Sequence, residues 1–226
     1  MTNNEKEILG LPIEDRRWPT NKYKNYTNLA IENIEDFWDK EARNLDWYKS
    51  WDKVLEWKNP FAKWFVGGKI NACYNAVDRH IKTEKKTKAA IIWEGEPGDT
   101  RVLTYLDLFR EVNNFASALK KLGIKKGDKI AICMPMIPEF QIAILSAARI
   151  GAIFTVIFSG FSANALAGRI NDSQAKLVIT TDGGYRRGKV IELKNIVDDA
   201  VKETPSVKNV IVYKRVGNDI KMVNKR

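Results

Sequence analysis

The chain's chemistry is concentrated in residues 149–189, RIGAIFTVIFSGFSANALAGRINDSQAKLVITTDGGYRRGK. Three cations, Arg186, Arg187 and Lys189, follow Gly183 and Gly184 in one short loop, and Phe158-Ser159-Gly160 closes the apolar run before it. Cations attract phosphate, glycines let a ligand approach the backbone, and backbone N–H groups at a helix start favour anions. This combination suits a large phosphorylated ligand. Nucleophilic catalysis has no comparable signal. His80, the single histidine, has no serine, cysteine or metal-ligand partner at a telling spacing and reads as structural. The pair Asp198-Asp199 falls on the polar face of a helical pattern and reads as solvated.

The elements that must position these residues are legible from periodicity. Two strand-like runs, Ala89–Trp93 and Arg101–Thr104, are joined by the turn EGEPGD. Thr104 then caps a helix, with Asp107 three residues on and Leu108, Val112, Phe115 and Leu119 at helical spacing, and Gly123 ends it. Beyond it, strands IAICM, IFTVIF, KLVIT and NVIVY alternate with helices: one near Pro138 to Ile150, one over Ala163–Asn171, and one with Leu193, Ile196, Val197, Ala200 and Val201 on one face. Strands apolar throughout and separated by helices predict an α/β fold, a parallel sheet with flanking helices. A dinucleotide dehydrogenase is excluded, because IAICM runs into Pro135-Met136-Ile137-Pro138 with no glycine fingerprint after the first strand.

Ahead of the sheet, six of the seven tryptophans, all but Trp93, precede residue 65. This stretch predicts an aromatic-rich helical layer whose rings pack on a neighbouring domain rather than stack bases. The domains expected are an extended arm over 1–29, the aromatic segment over 30–82, and the first part of a larger α/β domain over 83–226. With 44% hydrophobic and 29% charged residues the 226-residue chain has the makings of a folded core, which excludes disorder. Lys and Arg total 38 against 28 Asp and Glu, a formal charge of +10. The basic runs Lys85–Lys88, Lys120–Lys129 and Lys214–Arg226 are dispersed and carry no nucleic-acid motif, so they read as solvated surface. The N-terminus is polar, the most apolar span (Ile142–Phe158) is interrupted by Arg149 and Gly151, and Cys73 and Cys133 are far apart. These features point to a cytoplasmic protein, without nucleic acid or membrane as partner.

The motifs FW at 37–38, WFVGGKIN at 64–71, DRH at 78–80, WEGEPGD at 93–99, LTY at 103–105, KKGDKIAICMPMIPEF, ARIGA, FSGFS, GRI and LVITTDGG stand in order along the chain. Together they resemble the N-terminal third of AMP-forming acetyl-CoA synthetases, members of the adenylate-forming superfamily. The aromatic segment is similar to the extra N-terminal region of acetyl- and propionyl-type synthetases.

The resemblance implies a reaction in two steps. A short carboxylate attacks ATP, with Mg2+, to give an acyl-adenylate and pyrophosphate, and the CoA thiol then displaces AMP. Acetate is the default carboxylate; propionate and 3-hydroxypropionate are the alternatives, as is a non-catalytic module that binds CoA or a partner. No residue here matches the family's phosphate loop, magnesium-binding acid or adenylation lysine, so a fragment that makes no adenylate alone is expected and no catalytic residue is assigned. The resemblance carries CoA binding to Phe158, Ser159 and Gly160 and to Arg186, Arg187 and Lys189, with the cations at the 3′-phosphate. Ser159 stands where the family commonly has glycine, Lys189 where it has arginine, and Phe154 where it often has histidine. An apolar sheet face left uncovered is expected to self-associate or to be covered by the remainder of a longer enzyme.

Overall fold

A computed structural model of the chain describes residues 20–222. The chain divides between Ile70 and Asn71 into two compact units. Of the arm expected over 1–29, residues 1–19 lie outside the described residues and Thr20 onward is helical.

The first unit begins with helices α1 (Thr20–Glu32) and α2 (Ile34–Ala42). The side chain of Asn33 caps α2 by accepting from the Asp36 N–H at 3.2 Å, and Glu35 and Asp36 place negative charge at the helix start. The helical layer expected here stops at α2. Residues 47–70 form strands instead: β1 (Trp47–Lys49) pairs antiparallel with β4 (Lys69–Ile70), and β2 (Lys53–Lys58) with β3 (Phe61–Val66). The physical reason lies in the residue types. KVLEWK and FAKWFV are rich in β-branched and aromatic residues and are separated by Asn59-Pro60, a hairpin pattern that the number of tryptophans obscures. The rings pack on one another. Trp47 and Trp51 stand edge to face at 4.9 Å, and Trp51 and Phe65 at 5.1 Å. Both indole N–H groups of this cluster have acceptors, Ala42 O for Trp47 and Asp39 Oδ1 for Trp51, each at 2.9 Å.

The second unit opens on a helical link, Tyr74–Asp78 and Arg79–Ile81, and an antiparallel hairpin of β5 (Ala89–Glu94) and β6 (Thr100–Thr104). Helix α3 (Tyr105–Lys121) starts at the expected capping box: the Asp107 N–H donates to Thr104 Oγ1, and the Thr104 N–H donates to the Asp107 carboxylate. Then come β7 (Lys129–Ile132), α4 (Pro138–Ile150), β8 (Ile153–Val156), α5 (Ala163–Ser173) and β9 (Leu177–Thr181). A hairpin of β10 (Gly184–Arg186) and β11 (Lys189–Ile191) follows, and α6 (Leu193–Val201) and β12 (Asn209–Tyr213) complete the unit.

Strands β12, β9, β7 and β8 form one sheet in that order, every pair parallel. Alternation along β7 sorts the core. Ala131 and Cys133 face one layer with Leu166 and Ile170 of α5 and Val197 and Ala200 of α6. Ile130 and Ile132 face the other with Leu119 of α3 and Ala143 and Ala147 of α4. Each fully buried leucine or isoleucine contributes about 1.5–3 kcal/mol, so the two central strands anchor the unit. Edge strand β8 differs, with Ile153, Phe154 and Val156 all exposed. Among the described residues no helix is long and apolar enough to cross a membrane.

Three quoted motifs meet at the end of α4. The Asp78 carboxylate pairs with the Arg149 guanidinium at 2.6 Å, and Asn71 Nδ2 donates to the carbonyls of Ala148 and Arg149. His80 lies against the Tyr105 ring at 4.8 Å, in the structural setting expected of it. Asp198 and Asp199 keep side chains 43% and 63% exposed, in line with the solvated reading, while the Asp198 carboxylate also pairs at 2.6 Å with Nζ of Lys194, a lysine otherwise buried in α6.

Candidate functional site

The strand order sets where a ligand can sit. From β7 the chain steps outward on one side to β8, then returns across β7 to β9 and β12. The loops after β7 and β9 therefore part company, and a parallel sheet opens a crevice at that point beyond its strand C-termini. A cleft of about 350 Å³ lies there. Its walls come from Pro135 and Met136 after β7, Phe158 and Ser159 after β8, Gly184–Arg186 after β9, the Trp93–Glu96 end of β5, and Arg215 after β12. A larger hollow of about 490 Å³, lined by Val77, Ile91, Leu108 and Leu145, holds no cation and presents little for a charged ligand.

Sequence continuity does not bring Phe158-Ser159-Gly160 to the cation loop; the parallel pairing of β8, β7 and β9 does. The Arg186 guanidinium lies over the Phe158 ring at 5.3 Å. Phe158 in turn meets Phe161 edge to face at 5.7 Å, and Arg169 covers Phe161 at 4.2 Å. Gly160 makes the first contact possible. A Cβ there would fall 2.5 Å from the Phe158 ring and 2.6 Å from Arg186 Nη1.

The cations themselves sit differently from the expectation of a helix start. They ride on the β10–β11 hairpin. Arg187 (φ +52°) and Gly188 (φ +72°) form its two-residue turn, the left-handed pair that suits a tight hairpin. Arg186 and Lys189 are cross-strand partners and so project from one face, whereas Arg187 belongs to the turn. The Gly188 N–H donates to Glu96 Oε1 at 2.5 Å, which ties the hairpin tip to the β5–β6 turn. Arg186, Arg187 and Lys189 are all exposed. Arg186, Phe158, Ser159 and Gly160 are thus brought together, with Lys189 beside Arg186 and Arg187 at the hairpin tip.

Several residues that shape the cleft are not apparent from the sequence pattern. Arg215 is held between two rings, 5.0 Å from Trp93 and 5.1 Å from Tyr185, and pairs with Asp99 at 2.8 Å. That ion pair raises the arginine's pKa and holds the aspartate below its ordinary value. Trp93 Nε1 donates to Met136 O at 2.7 Å, fixing the ring on which Arg215 rests. Asp182, 1% exposed, accepts from the N–H groups of Gly183, Arg215, Val216 and Gly217 at 2.7–3.1 Å. Burial pushes its pKa up, but the four N–H donors outweigh that and hold it below the usual carboxylate range. An aspartate closing an apolar strand just before two glycines was the available signal. Among the described residues no three His, Cys, Asp or Glu side chains group as a metal site.

The family comparisons agree with this architecture. A model described as "AMP-binding enzyme" matches residues 77–224, and one described as "Acetyl-coenzyme A synthetase N-terminus" matches residues 23–76. The acetyl-coenzyme A synthetase of Pyrobaculum arsenaticum is 55% identical over 218 residues, which are 92% of this chain and 32% of that protein. That of Chlorobaculum tepidum is 55% identical over 199 residues, 88% of this chain and 30% of that protein. Acetoacetyl-CoA synthetase from Streptomyces lividans superimposes with a TM-score of 0.80 over 86% of this chain and 30% of its own, at 24% identity, and so shows the fold. The chain spans about a third of the length of the curated relatives it matches. With the larger family model covering most of the second unit and the smaller one most of the first, the chain belongs to the AMP-binding enzymes and carries the N-terminal segment of acetyl-coenzyme A synthetases.

Proposed function

We propose that the cleft is the CoA nucleotide wall of an AMP-forming acyl-CoA synthetase, which activates acetate or a similar short carboxylate with ATP and passes the acyl group to CoA. The observation that carries this reading is the placement of Arg186 over Phe158, beside Gly160 and with Lys189 as its cross-strand partner. An aromatic ring, an open backbone and two cations on one hairpin face match a purine nucleotide with a terminal phosphate. In this role Arg186 and Lys189 hold the 3′-phosphate, Arg187 adds positive field at the turn, and Phe158, Ser159 and Gly160 line the nucleotide's path.

The adenylation step belongs to ATP and its Mg2+, and no residue of this chain is assigned to either. Acetate is favoured because the relatives at about 55% identity bear that name. A cytoplasmic location fits two buried, unpaired thiols. The exposed apolar side chains of β8 are the surface over which we place self-association or contact with the rest of a longer enzyme.

Titration of the chain with CoA and with dephospho-CoA tests the reading. CoA binding more tightly, with the difference removed by Arg186→Ala, is the expected result. Equal affinity for the two ligands overturns it.

A further inference from the structure

We infer that Asp182 is a positioning residue for the cleft: it locks the loop after β12 so that Arg215, pressed on Tyr185, sets the hairpin that carries Arg186. The inference rests on the CoA reading for its functional consequence, while its structural part stands on the geometry alone.

Every polar group of Asp182 is engaged. Its N–H donates to the Tyr213 carbonyl at 3.0 Å, and its own carbonyl accepts from the Lys194 N–H at the start of α6. Its carboxylate takes the N–H groups of Arg215, Val216 and Gly217, three consecutive residues, together with that of Gly183. Such a buried anion cradled by backbone donors is a fixed point. With both oxygens occupied by N–H donors and the pKa held low, it is neither a metal ligand nor a proton carrier. Fixing the Arg215 backbone fixes where its side chain begins. The guanidinium then ends between Trp93 and Tyr185 with Nη1 and Nη2 on the Asp99 carboxylate, at 2.8 and 2.9 Å. Tyr185 immediately precedes Arg186 on β10, so the arginine stack bears directly on the hairpin. Gly183 closes the junction, for a Cβ there would lie 2.8 Å from both Ile191 O and Val216 Cγ2.

The experiment compares Asp182→Asn with the parent in the full 226-residue chain. An amide in place of the carboxylate cannot accept from Gly217 and the other three donors together. Amide exchange at Arg215, Val216 and Gly217 is expected to quicken about tenfold or more, as for loss of a charge-assisted bond, while Ile130 and Ile179 in the central strands stay protected. The NMR signals of Tyr185 and Arg186 should shift, and CoA affinity should fall about tenfold, an effect of the same size. Arg186→Ala is the control for the cleft itself.

If Asp182→Asn leaves CoA affinity unchanged while Arg186→Ala lowers it, the cleft reading stands and the positioning role is overturned. If Arg186→Ala has no effect, the CoA reading fails, and Asp182 is judged by the Tyr185 and Arg186 signals; their failure to move overturns it. Should Asp182→Asn unfold the core strands as well, Arg215→Ala takes its place. It must shift the same two residues and weaken CoA binding, with exchange at Gly217 unaltered; no effect overturns the inference.

Discussion

The guanidinium of Arg186 rests 5.3 Å from the centre of the Phe158 ring, although the two residues belong to different crossovers of the sheet. The contact joins the loop after β8 to the hairpin after β9 across the C-terminal end of β7. A cation held by a ring keeps its hydrogen-bonding edge free for an anion, and such contacts are worth about 0.5–1 kcal/mol at an exposed site. The ring therefore aims the arginine more than it stabilises the fold.

Arg186→Ala in the complete enzyme should cost about 1.5–3 kcal/mol of CoA binding, the range for a charge-assisted hydrogen bond. The loss should appear in the Michaelis constant for CoA, because the 3′-phosphate is remote from the thiol and is bound alike in ground and transition states. Dephospho-CoA should lose little further affinity. Acetate-dependent exchange of pyrophosphate into ATP should be nearly untouched, and damage to that half-reaction would contradict the placement of this loop.

Gly160→Ala separates geometry from charge. The new methyl would meet the Phe158 ring and Arg186 Nη1, both mobile side-chain ends, so the fold should accommodate it with little change in Tm. CoA affinity should nonetheless drop, since the arginine is pushed from its ring. Unchanged affinity together with unchanged Tm would mean that the Gly160 approach is unimportant to binding.

How much of this was legible depended on whether a local pattern fixed the outcome. The capping box at Thr104 and Asp107, the Pro138 helix start and the NVIVY strand are local events, and they appear at the residues read for them. Likewise, Phe158-Ser159-Gly160 and the cations near Arg186 could be singled out because glycine and charge advertise themselves. The β10–β11 hairpin is hidden because GYRRGK lacks an Asn-Gly or Asp-Gly signal, its turn using Arg187 at positive φ instead. Asp182 and Arg215 are hidden for another reason. Their roles exist only once β9 and β12 lie side by side, which no local window records. In the first unit the rings pack on one another, and their number conceals the strand alternation of β2 and β3.

Acid should act on the Asp182 junction in a defined direction. Its folded pKa lies below the ordinary aspartate value, so its contribution is fully present above that value, near pH 4, and is lost as pH falls through the lower folded pKa. The parent chain should therefore lose stability in denaturant titrations as pH drops below about 4. Asp182→Asn, which has no proton to gain there, should show a shallower loss. Parallel pH profiles for the two proteins would be inconsistent with a depressed Asp182.

Both thiols should be inert under native conditions. Burial pushes the Cys133 thiol up to about 11 and raises that of Cys73, and the thiolate is the reactive form. At pH 8 a thiol reagent such as DTNB should label neither in the folded chain and both in denaturant. Rapid native labelling of Cys133 would show that the layer formed with Ile157 and Val178 opens readily.

The edge of the sheet makes the last prediction. Strand β8 pairs only with β7 among the described strands, leaving its outer backbone groups and the side chains of Ile153 and Val156, 55% and 49% exposed, to face outward. A parallel edge with apolar side chains is a template for another strand or another apolar surface, and folded chains usually blunt such an edge with charge. At high concentration the chain should associate in sedimentation experiments, and Ile153→Lys should shift it toward monomer. The change should leave Tm nearly where it was, because a half-exposed isoleucine contributes much less than the roughly 1.5–3 kcal/mol of a fully buried one. CoA affinity should also be preserved, since the cleft lies beyond the other end of the strand, past Phe158. A parent chain that stays monomeric at every concentration would remove β8 as an interaction surface.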